Sequence, residues 1–297
     1  MASQRRRSRT RARRAPTGRL AGTASAGLNE VMTTSDLARS DRLLRRLLGR
    51  EAELALPAEP GDEGVVTEDA LAGLPVPAQR YLRFMGVVGR PPVRAFRARF
   101  EGRFRLRPDQ RWLRSRAWQY NSRVGPTRLF HMRLDVAGLL PMTGWDTYVA
   151  GEGRMQGRVL GILPVVDAAG EEMDEGELVT YLDDALLLAP SMLLGPQTRW
   201  SPVDDGSFDV DLTDRGRTVR ARVSLDDRGA PTDVSTGNRT AMLPGGPVRA
   251  RWSTPVDGWT VIAGRRRPTG ASAVWDLDDG PYTYGQGTFT IVEHDPP

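Results

Sequence analysis

Carboxylates, rather than thiols or imidazoles, supply almost all the acid–base chemistry open to this sequence. The 297 residues include no cysteine and two histidines, His131 and His294, which lie far apart along the chain. Thiolate catalysis, iron–sulfur ligation and a histidine-rich metal site within one chain are therefore excluded. All 42 basic residues are arginine, which also excludes a P-loop lysine and a Schiff base. We expect no metal ion and no cofactor.

The most closely spaced carboxylates do not form a catalytic pair by themselves. Asp183 and Asp184 are adjacent in a predicted helix, where neighbouring side chains point about 100° apart. The run DLDDG at 276–280 is typical of an exposed hairpin turn, and GEGRMQG at 151–157 of a glycine-kinked strand. Nucleophile-elbow, HExxH, P-loop and GxGxxG motifs do not occur. The sequence therefore names no catalytic residue.

Aromatic residues offer a second kind of chemistry, the binding of an apolar ligand. The chain has seven tryptophans: Trp112, Trp118, Trp145, Trp200, Trp252, Trp259 and Trp275. Aromatic side chains that line a cavity suit a lipid or another apolar molecule. Large aromatics are equally the usual filling of a β core. The sequence alone leaves both interpretations open.

The elements that must position these residues are mostly strands. In FRARFEGRFRLR, residues 96–107, every even position is apolar or glycine and every odd position is charged. This period of two predicts a strand of roughly 40 Å with one buried and one solvated face. The pattern recurs in RLFHMRLDV at 128–136 and in later segments, and about ten to twelve strands are expected.

One predicted helix interrupts the strands. Asp174 and Glu177 have the spacing of a capping box, ELVTYLDDALLLA follows, and Pro190 ends the helix. Together these patterns predict an α+β protein that is mostly β. We expect a large curved antiparallel sheet, as a half-barrel or open barrel, with one or two helices on its concave side and a short N-terminal helix.

That short helix is predicted in LPVPAQRYLRFMG, residues 74–86. Pro77 suits the first turn, Tyr81, Leu82 and Met85 share a face, and Gly86 ends the helix. We expect it to open the folded domain and to seal one end of the sheet.

The chain divides by composition into three parts. Residues 1–35 predict a disordered arginine-rich leader, 36–66 a short helix with an acidic Pro/Gly linker, and 67–297 a single β-rich domain. Synthesis that starts at Met32 is an alternative to Met1. The leader has no apolar core of the kind a secretory signal needs, and a cytoplasmic location is expected. No apolar run is long enough for a transmembrane segment.

Several motifs together resemble a bacterial family of unknown function. They are LPVPAQRYL (74–82), FHMR (130–133), ELVTYLDDALLLAP (177–190), Trp200, RWSTP (251–255), GASAVW (270–275) and YTYG (282–285). The resemblance covers residues 70–293 and implies that two positions, Asp184 and Arg239, belong to a candidate site. The family usually has an aspartate directly before that arginine, whereas this sequence has Asn238. At fold level the pattern is also similar to the half-barrels of periplasmic lipoprotein carriers.

The leading hypothesis is a non-enzymatic binder of an apolar or amphipathic, lipid-like small molecule. The ligand would lie between the sheet and the 177–194 segment, against these candidate residues: Phe130, Met132, Asp184, Arg239, Trp252, Trp275 and Tyr284. The resemblance suggests that Arg239 and Asp184 form a polar anchor, and an arginine suits a carboxylate or phosphate headgroup. One alternative is an enzyme that uses Asp184 or Tyr284 with Arg239. The other is association with nucleic acid or a membrane surface through the arginine-rich tail.

Overall fold

A computed structural model describes residues 42–54, 64–136, 140–160, 163–243 and 245–296. The predicted leader, the Met32 start and most of the predicted linker lie outside the described residues. The described part has four α-helices: α1 (Arg42–Glu53), α2 (Glu68–Leu71), α3 (Val76–Phe84) and α4 (Glu171–Leu188). A 3₁₀ turn at Pro190–Leu193 follows α4, because Pro190 cannot continue the helix.

Sixteen strands occur in the described ranges, more than the ten to twelve expected. The first eight are β1 (Ala95–Phe104), β2 (Leu113–Ser122), β3 (Thr127–Val136), β4 (Leu140–Val149), β5 (Glu152–Val159), β6 (Leu163–Ala169), β7 (Thr198–Asp204) and β8 (Ser207–Asp214). The others are β9 (Arg217–Leu225), β10 (Pro231–Thr236), β11 (Thr240–Leu243), β12 (Gly246–Arg249), β13 (Arg251–Ser253), β14 (Val256–Ile262), β15 (Arg265–Leu277) and β16 (Gly280–His294). The additional strands are short or rich in glycine, so their alternation is weak.

Fourteen strands form one antiparallel sheet in the spatial order β6-β5-β4-β3-β2-β1-β16-β15-β13-β10-β9-β8-β7, with β14 beside β15. Strands β11 and β12 form a separate pair. Helix α4 connects β6 to β7, which are the two edges of the large sheet. It contacts β3–β6 on one side and β9, β10 and β15 on the other. A single helix touches both halves because the sheet curves around it, which confirms the predicted open half-barrel.

The two faces of the sheet carry different cores. On β3, Phe130 and Met132 face the concave side, and Leu129 and His131 face the convex side. The convex face was predicted to be solvated, and over part of the sheet this prediction is wrong. Helix α1 covers it there with Leu47, which packs on these apolar side chains: Ala95, Trp118, Tyr120 and Leu129. Helix α1 packs on the convex face because the side chains at these positions are apolar, and the contact buries them.

The start of α4 differs from the predicted capping box. The helix begins at Glu171 after Gly170, and no side chain caps it. Asp174 instead accepts hydrogen bonds from the Gly153 backbone N–H at 2.6 Å and from Arg217 at 3.0 Å. A Cβ atom at Gly153 would lie 2.3 Å from the Met173 carbonyl oxygen. Glycine therefore allows β5 to approach the first turn of α4, and tertiary contacts replace the local cap.

Helix α3 lies where the sequence predicts it. Tyr81 and Leu82 are fully buried, and Gly86 adopts φ of 71°, the left-handed conformation that ends many helices. The helix packs on β7 and β8, and the Tyr81 hydroxyl donates a hydrogen bond of 2.5 Å to the Leu186 carbonyl of α4. Helix α3 therefore connects β7 and β8 to α4.

Candidate functional site

A cavity of about 320 Å³ lies between the concave face of the sheet and one side of α4. Strands β1 to β6, β13, β15 and β16 contribute to its wall, together with Thr180, Asp183, Asp184 and Leu187 of α4. Its apolar lining includes Phe100, Phe104, Phe130, Met132, Leu134, Met142, Met155, Val166, Trp252 and Phe289. The curvature that wraps the sheet around α4 therefore also leaves space beside the helix.

The cavity extends along the strands as well as across them. Arg128, Phe130, Met132 and Leu134 of β3 all line it, because alternate residues of a strand point to the same face. Six residues of strand correspond to about 20 Å. The wall therefore runs from a buried arginine at the α4 end to leucine near the end of β3.

Glycines and methionines shape this wall. Five cavity-lining strand residues are glycines, Gly102, Gly144, Gly157, Gly285 and Gly287. At Gly102 an added Cβ atom would clash with the Gln286 carbonyl oxygen, so glycine there allows β1 and β16 to lie close together. At Gly144 an added Cβ atom would meet no atom closer than 3.7 Å, the Gln156 carbonyl oxygen. Met132, Met142 and Met155 are flexible and adapt to irregular apolar shapes. The wall is suited to apolar contact rather than to directed polar recognition.

Charged side chains gather at the α4 end of the cavity. We call the following six residues the charge cluster: Arg128, Asp146, Glu177, Asp183, Asp184 and Arg239. Arg128 is 4% exposed and donates hydrogen bonds to Glu177 at 2.8 Å and to Asp184 at 2.7 Å. Asn121 also donates to Asp184, at 3.4 Å. Arg128 therefore compensates two carboxylates that α4 carries into the interior.

Burial raises the pKa of several carboxyl groups in the charge cluster. The pKa of Glu177 is raised to about 7, because burial and repulsion from Asp146 outweigh its bond to Arg128. Burial likewise raises the pKa of Asp146, although the positive charge of Arg128 acts to lower it. The pKa of Asp183 lies well above its usual range because of burial and the neighbouring Asp184. Burial acts to lower the pKa of Arg128, but the carboxylates around it raise it overall, so it stays charged.

Within the charge cluster, Arg239 lies beside three aromatic side chains. The Arg239 guanidinium lies over Trp252 at 4.4 Å and over Trp275 at 5.6 Å from the ring centroids, as in cation–π pairs. Trp252 Nε1 donates a 3.0 Å hydrogen bond to the Tyr284 hydroxyl, and Tyr284 stacks on Trp275 at 6.3 Å. This arrangement fixes the Arg239 side chain on an aromatic surface at the cavity wall.

The structure brings the predicted site residues into one region. Six of them line the cavity, namely Phe130, Met132, Asp184, Arg239, Trp252 and Tyr284, and the seventh, Trp275, contacts Arg239. The predicted pairing of Asp184 with Arg239 is replaced by a salt bridge between Asp184 and Arg128. Sequence reasoning missed Arg128, Glu177, Asp146 and Gln119. The sequence could have indicated Arg128, because it occupies an alternate position along β3 with Phe130 and Met132 and therefore points to the same face.

The metal-binding potential of the site is limited by its donor set. Across the part of the chain that the structure describes, no group of three or more His, Asp or Glu side chains is placed to hold a metal ion. The carboxylates of the charge cluster instead surround the guanidinium groups of Arg128 and Arg239.

The raised pKa of Glu177 predicts a pH-dependent stability. We expect the stability of Glu177→Gln, relative to the wild type, to increase as the pH rises from about 4.5 to about 7. A carboxyl group with a higher pKa in the folded chain stabilises that state below the unfolded pKa. The contribution is lost as the pH rises through the folded value, and glutamine has no such loss. Urea denaturation of both proteins near pH 5 and near pH 8 measures the difference.

Glu175→Gln, on the same helix, is the matched control. Burial acts to raise the pKa of Glu175, but its bonds from Arg249 and Asn238 outweigh burial and lower it. The contribution of Glu175 to stability is therefore lost only at pH values below the ordinary glutamate pKa. The difference in free energy of unfolding between Glu175→Gln and the wild type should stay constant between the two pH values. If the difference in free energy of unfolding between Glu177→Gln and the wild type is equally constant, the pKa of Glu177 is not raised.

The fold and cavity define a class of protein, the open antiparallel half-barrel that holds a helix and an internal cavity on its concave side. Residues 64–287 match the Family of unknown function (DUF6544), and the chain belongs to this family. The match covers the four cavity-lining residues of α4 and nearly all of the sheet. It confirms the resemblance that the sequence motifs indicate.

No curated protein matches the sequence. The solved structures that are similar include a LolA superfamily protein from Nitrosomonas europaea, with 12% identity and a TM-score of 0.37 over 77% of this chain and 94% of that chain. A putative outer membrane lipoprotein-sorting protein domain from Vibrio parahaemolyticus has 10% identity and a TM-score of 0.35 over 67% and 85%. A DUF1329 family protein from Desulfovibrio piger has 8% identity and a TM-score of 0.35 over 68% and 86%. Similarity at this level does not define a ligand.

None of the helices within the described ranges is long and apolar enough to cross a membrane.

Proposed function

We propose that this protein binds an apolar or amphipathic, lipid-like small molecule in the cavity beside α4. The observation that carries the proposal is the lining of the cavity, a largely apolar wall with the buried charge cluster at one end. A volume of about 320 Å³ falls within the range of small-molecule sites. The apolar part of the ligand would lie along the strands, and its polar part would face the charge cluster.

The polarity gradient along β3 supports this orientation. Arg128 is held by two carboxylates at the α4 end, and Phe130, Met132 and Leu134 follow at successive cavity-facing positions. Burial of apolar ligand surface against such residues contributes about 25 cal/mol per Å². An uncharged chain is therefore favoured along the wall, whereas a charged group placed there would lose its hydration without a partner.

A substitution that fills the cavity tests the proposal. We expect the wild type to enhance the fluorescence of the uncharged dye N-phenyl-1-naphthylamine, and Gly144→Phe to reduce its affinity at least about tenfold. The space above Gly144 is open to the cavity, so a phenyl ring there occupies ligand volume. Dye titration gives the affinity, and native mass spectrometry of protein from a cell extract identifies any retained molecule.

Arg114→Phe is the matched control, because it adds the same ring to β2, another strand of the same sheet. The Arg114 side chain is 64% exposed, away from the cavity lining. This variant should bind the dye as the wild type does, and thermal melts of both variants verify folding. Equal dye affinity for Gly144→Phe and the wild type, or no dye binding by the wild type, would rule out the proposed site.

A further inference from the structure

Two buried oxygen atoms of cavity-lining residues lack a protein partner. Among the described residues, no group hydrogen-bonds to Gln119 Oε1 or to Asp183 Oδ1. Gln119 is fully buried and Asp183 is 4% exposed, and both line the cavity. A buried polar atom without a partner has lost its hydrogen bonds to water without replacing them. Both atoms therefore indicate where a ligand would gain hydrogen bonds.

The orientation of the Gln119 amide is fixed by a chain of bonds. Asp184 Oδ2 accepts a hydrogen bond from Arg128, and the atom that Asn121 turns toward the same oxygen is the donor Nδ2. Asn121 Oδ1 then accepts from Gln119 Nε2 at 3.1 Å. The remaining atom, Gln119 Oε1, is an acceptor and requires a donor.

Asp183 has a different requirement. Its Oδ2 atom accepts a 3.2 Å hydrogen bond from Thr254, which also lines the cavity. The other oxygen, Oδ1, accepts a hydrogen bond when the carboxyl is ionised and donates or accepts when it is protonated. A group that both donates and accepts satisfies Asp183 in either state.

The charge cluster disfavours an anionic ligand group. It contains four carboxyl groups, Asp146, Glu177, Asp183 and Asp184, and two guanidinium groups, Arg128 and Arg239. Arg128 is already held by Glu177 and Asp184, and Arg239 lies over Trp252. Arg128 is already bonded to two carboxylates, so an added carboxylate or phosphate would lie among four carboxyl groups, and a carboxylate has no proton for Gln119 Oε1 at neutral pH.

We infer that the polar end of the ligand is an uncharged hydroxyl group, as in a long-chain alcohol or a monoacylglycerol. It would donate to Gln119 Oε1 and hydrogen-bond to Asp183 Oδ1. This inference rests on the proposed function and differs from the carboxylate or phosphate headgroup that Arg239 by itself suggests.

Three ligands with the same ten-carbon chain test the inference: 1-decanol, decyl methyl ether and decanoate. The ether keeps the oxygen but has no proton to donate, and decanoate is an anion near pH 7.5. Displacement of N-phenyl-1-naphthylamine from the wild-type protein measures each affinity. We expect 1-decanol to bind at least about tenfold more tightly than either of the others. Decanoate or the ether binding as tightly as the alcohol would overturn the inference and leave the proposed function intact.

Variants locate the hydroxyl group. Gln119→Leu removes the acceptor at similar volume, and it should reduce the preference for 1-decanol over the ether to within about twofold. Gln156→Leu is the control, because Gln156 lines the cavity but donates to Asp167 at the protein surface. It should keep the full preference. If the wild type binds neither the dye nor any ten-carbon ligand, the proposed function itself is wrong.

Discussion

Arg128→Met is expected to lower the free energy of unfolding by about 3–5 kcal/mol. Glu177 and Asp184 would each lose a hydrogen bond shorter than 3 Å to a guanidinium that is almost completely buried. Methionine keeps much of the side-chain volume, so the loss would come from two stranded carboxylates rather than from a cavity. Urea denaturation near pH 8, where carboxylates are ionised in the unfolded chain, measures the effect.

Two further variants make this result specific. Arg154→Met breaks a bond of 3.0 Å to Asp167, but both side chains are about half exposed, so its cost should stay below about 1 kcal/mol. Adding Glu177→Gln to Arg128→Met should recover part of the loss, because one stranded carboxylate becomes neutral. If Arg128→Met fails to fold at pH 8, the double variant and a lower pH should restore folding. A loss no larger than that of Arg154→Met would show that Arg128 does not compensate the buried acids.

Leu82→Asp is expected to lower the free energy of unfolding by about 3–5 kcal/mol. Leu82 is fully buried on the face of α3 that packs into the main core. An aspartate there would carry its charge into an apolar environment or take up a proton, and either outcome opposes folding. Thermal and urea denaturation measure the change.

Val76→Asp is the matched control on the same helix. Val76 is 70% exposed and begins the helix, where a negative charge interacts favourably with the helix dipole. Its stability should change by less than about 0.5 kcal/mol. If Leu82→Asp melts like the wild type, α3 is not docked on β7 and β8 as described.

Much of the fold was predictable because local patterns determine it. The alternation in β1 and β3 appears directly in the sequence, and the two residues between β8 and β9, Arg215 and Gly216, are the usual length of a hairpin turn. In that turn Arg215 and Gly216 adopt φ of 48° and 83°, as a type I′ turn requires. Strands β5 and β6 were less evident, since glycine and proline interrupt their alternation. The capping box failed because Asp174 bonds to Gly153 and Arg217, which are distant in sequence.

The candidate site was predictable only in part. The alternation of side chains along β3 placed Phe130 and Met132 on one face, and the family resemblance indicated Asp184 and Arg239 as site residues. The bonding partner of Asp184 was not predictable, because Arg128 and Asp184 are 56 residues apart and meet only when α4 enters the curved sheet. Gln119 gave no sequence signal, since its importance depends on which of its atoms lacks a partner.

The sequence by itself determined that this protein is a mostly antiparallel sheet with one long internal helix, and that thiol, lysine and histidine-rich chemistry is excluded. These conclusions depend on residue types and on periods of two along the chain, which are local properties. Only the tertiary structure decided that α4 contacts both halves of the sheet, that a cavity remains beside it, and that buried acids cluster around Arg128. Those features arise from contacts between distant segments, where burial changes the pKa of carboxyl groups and leaves particular atoms unpaired.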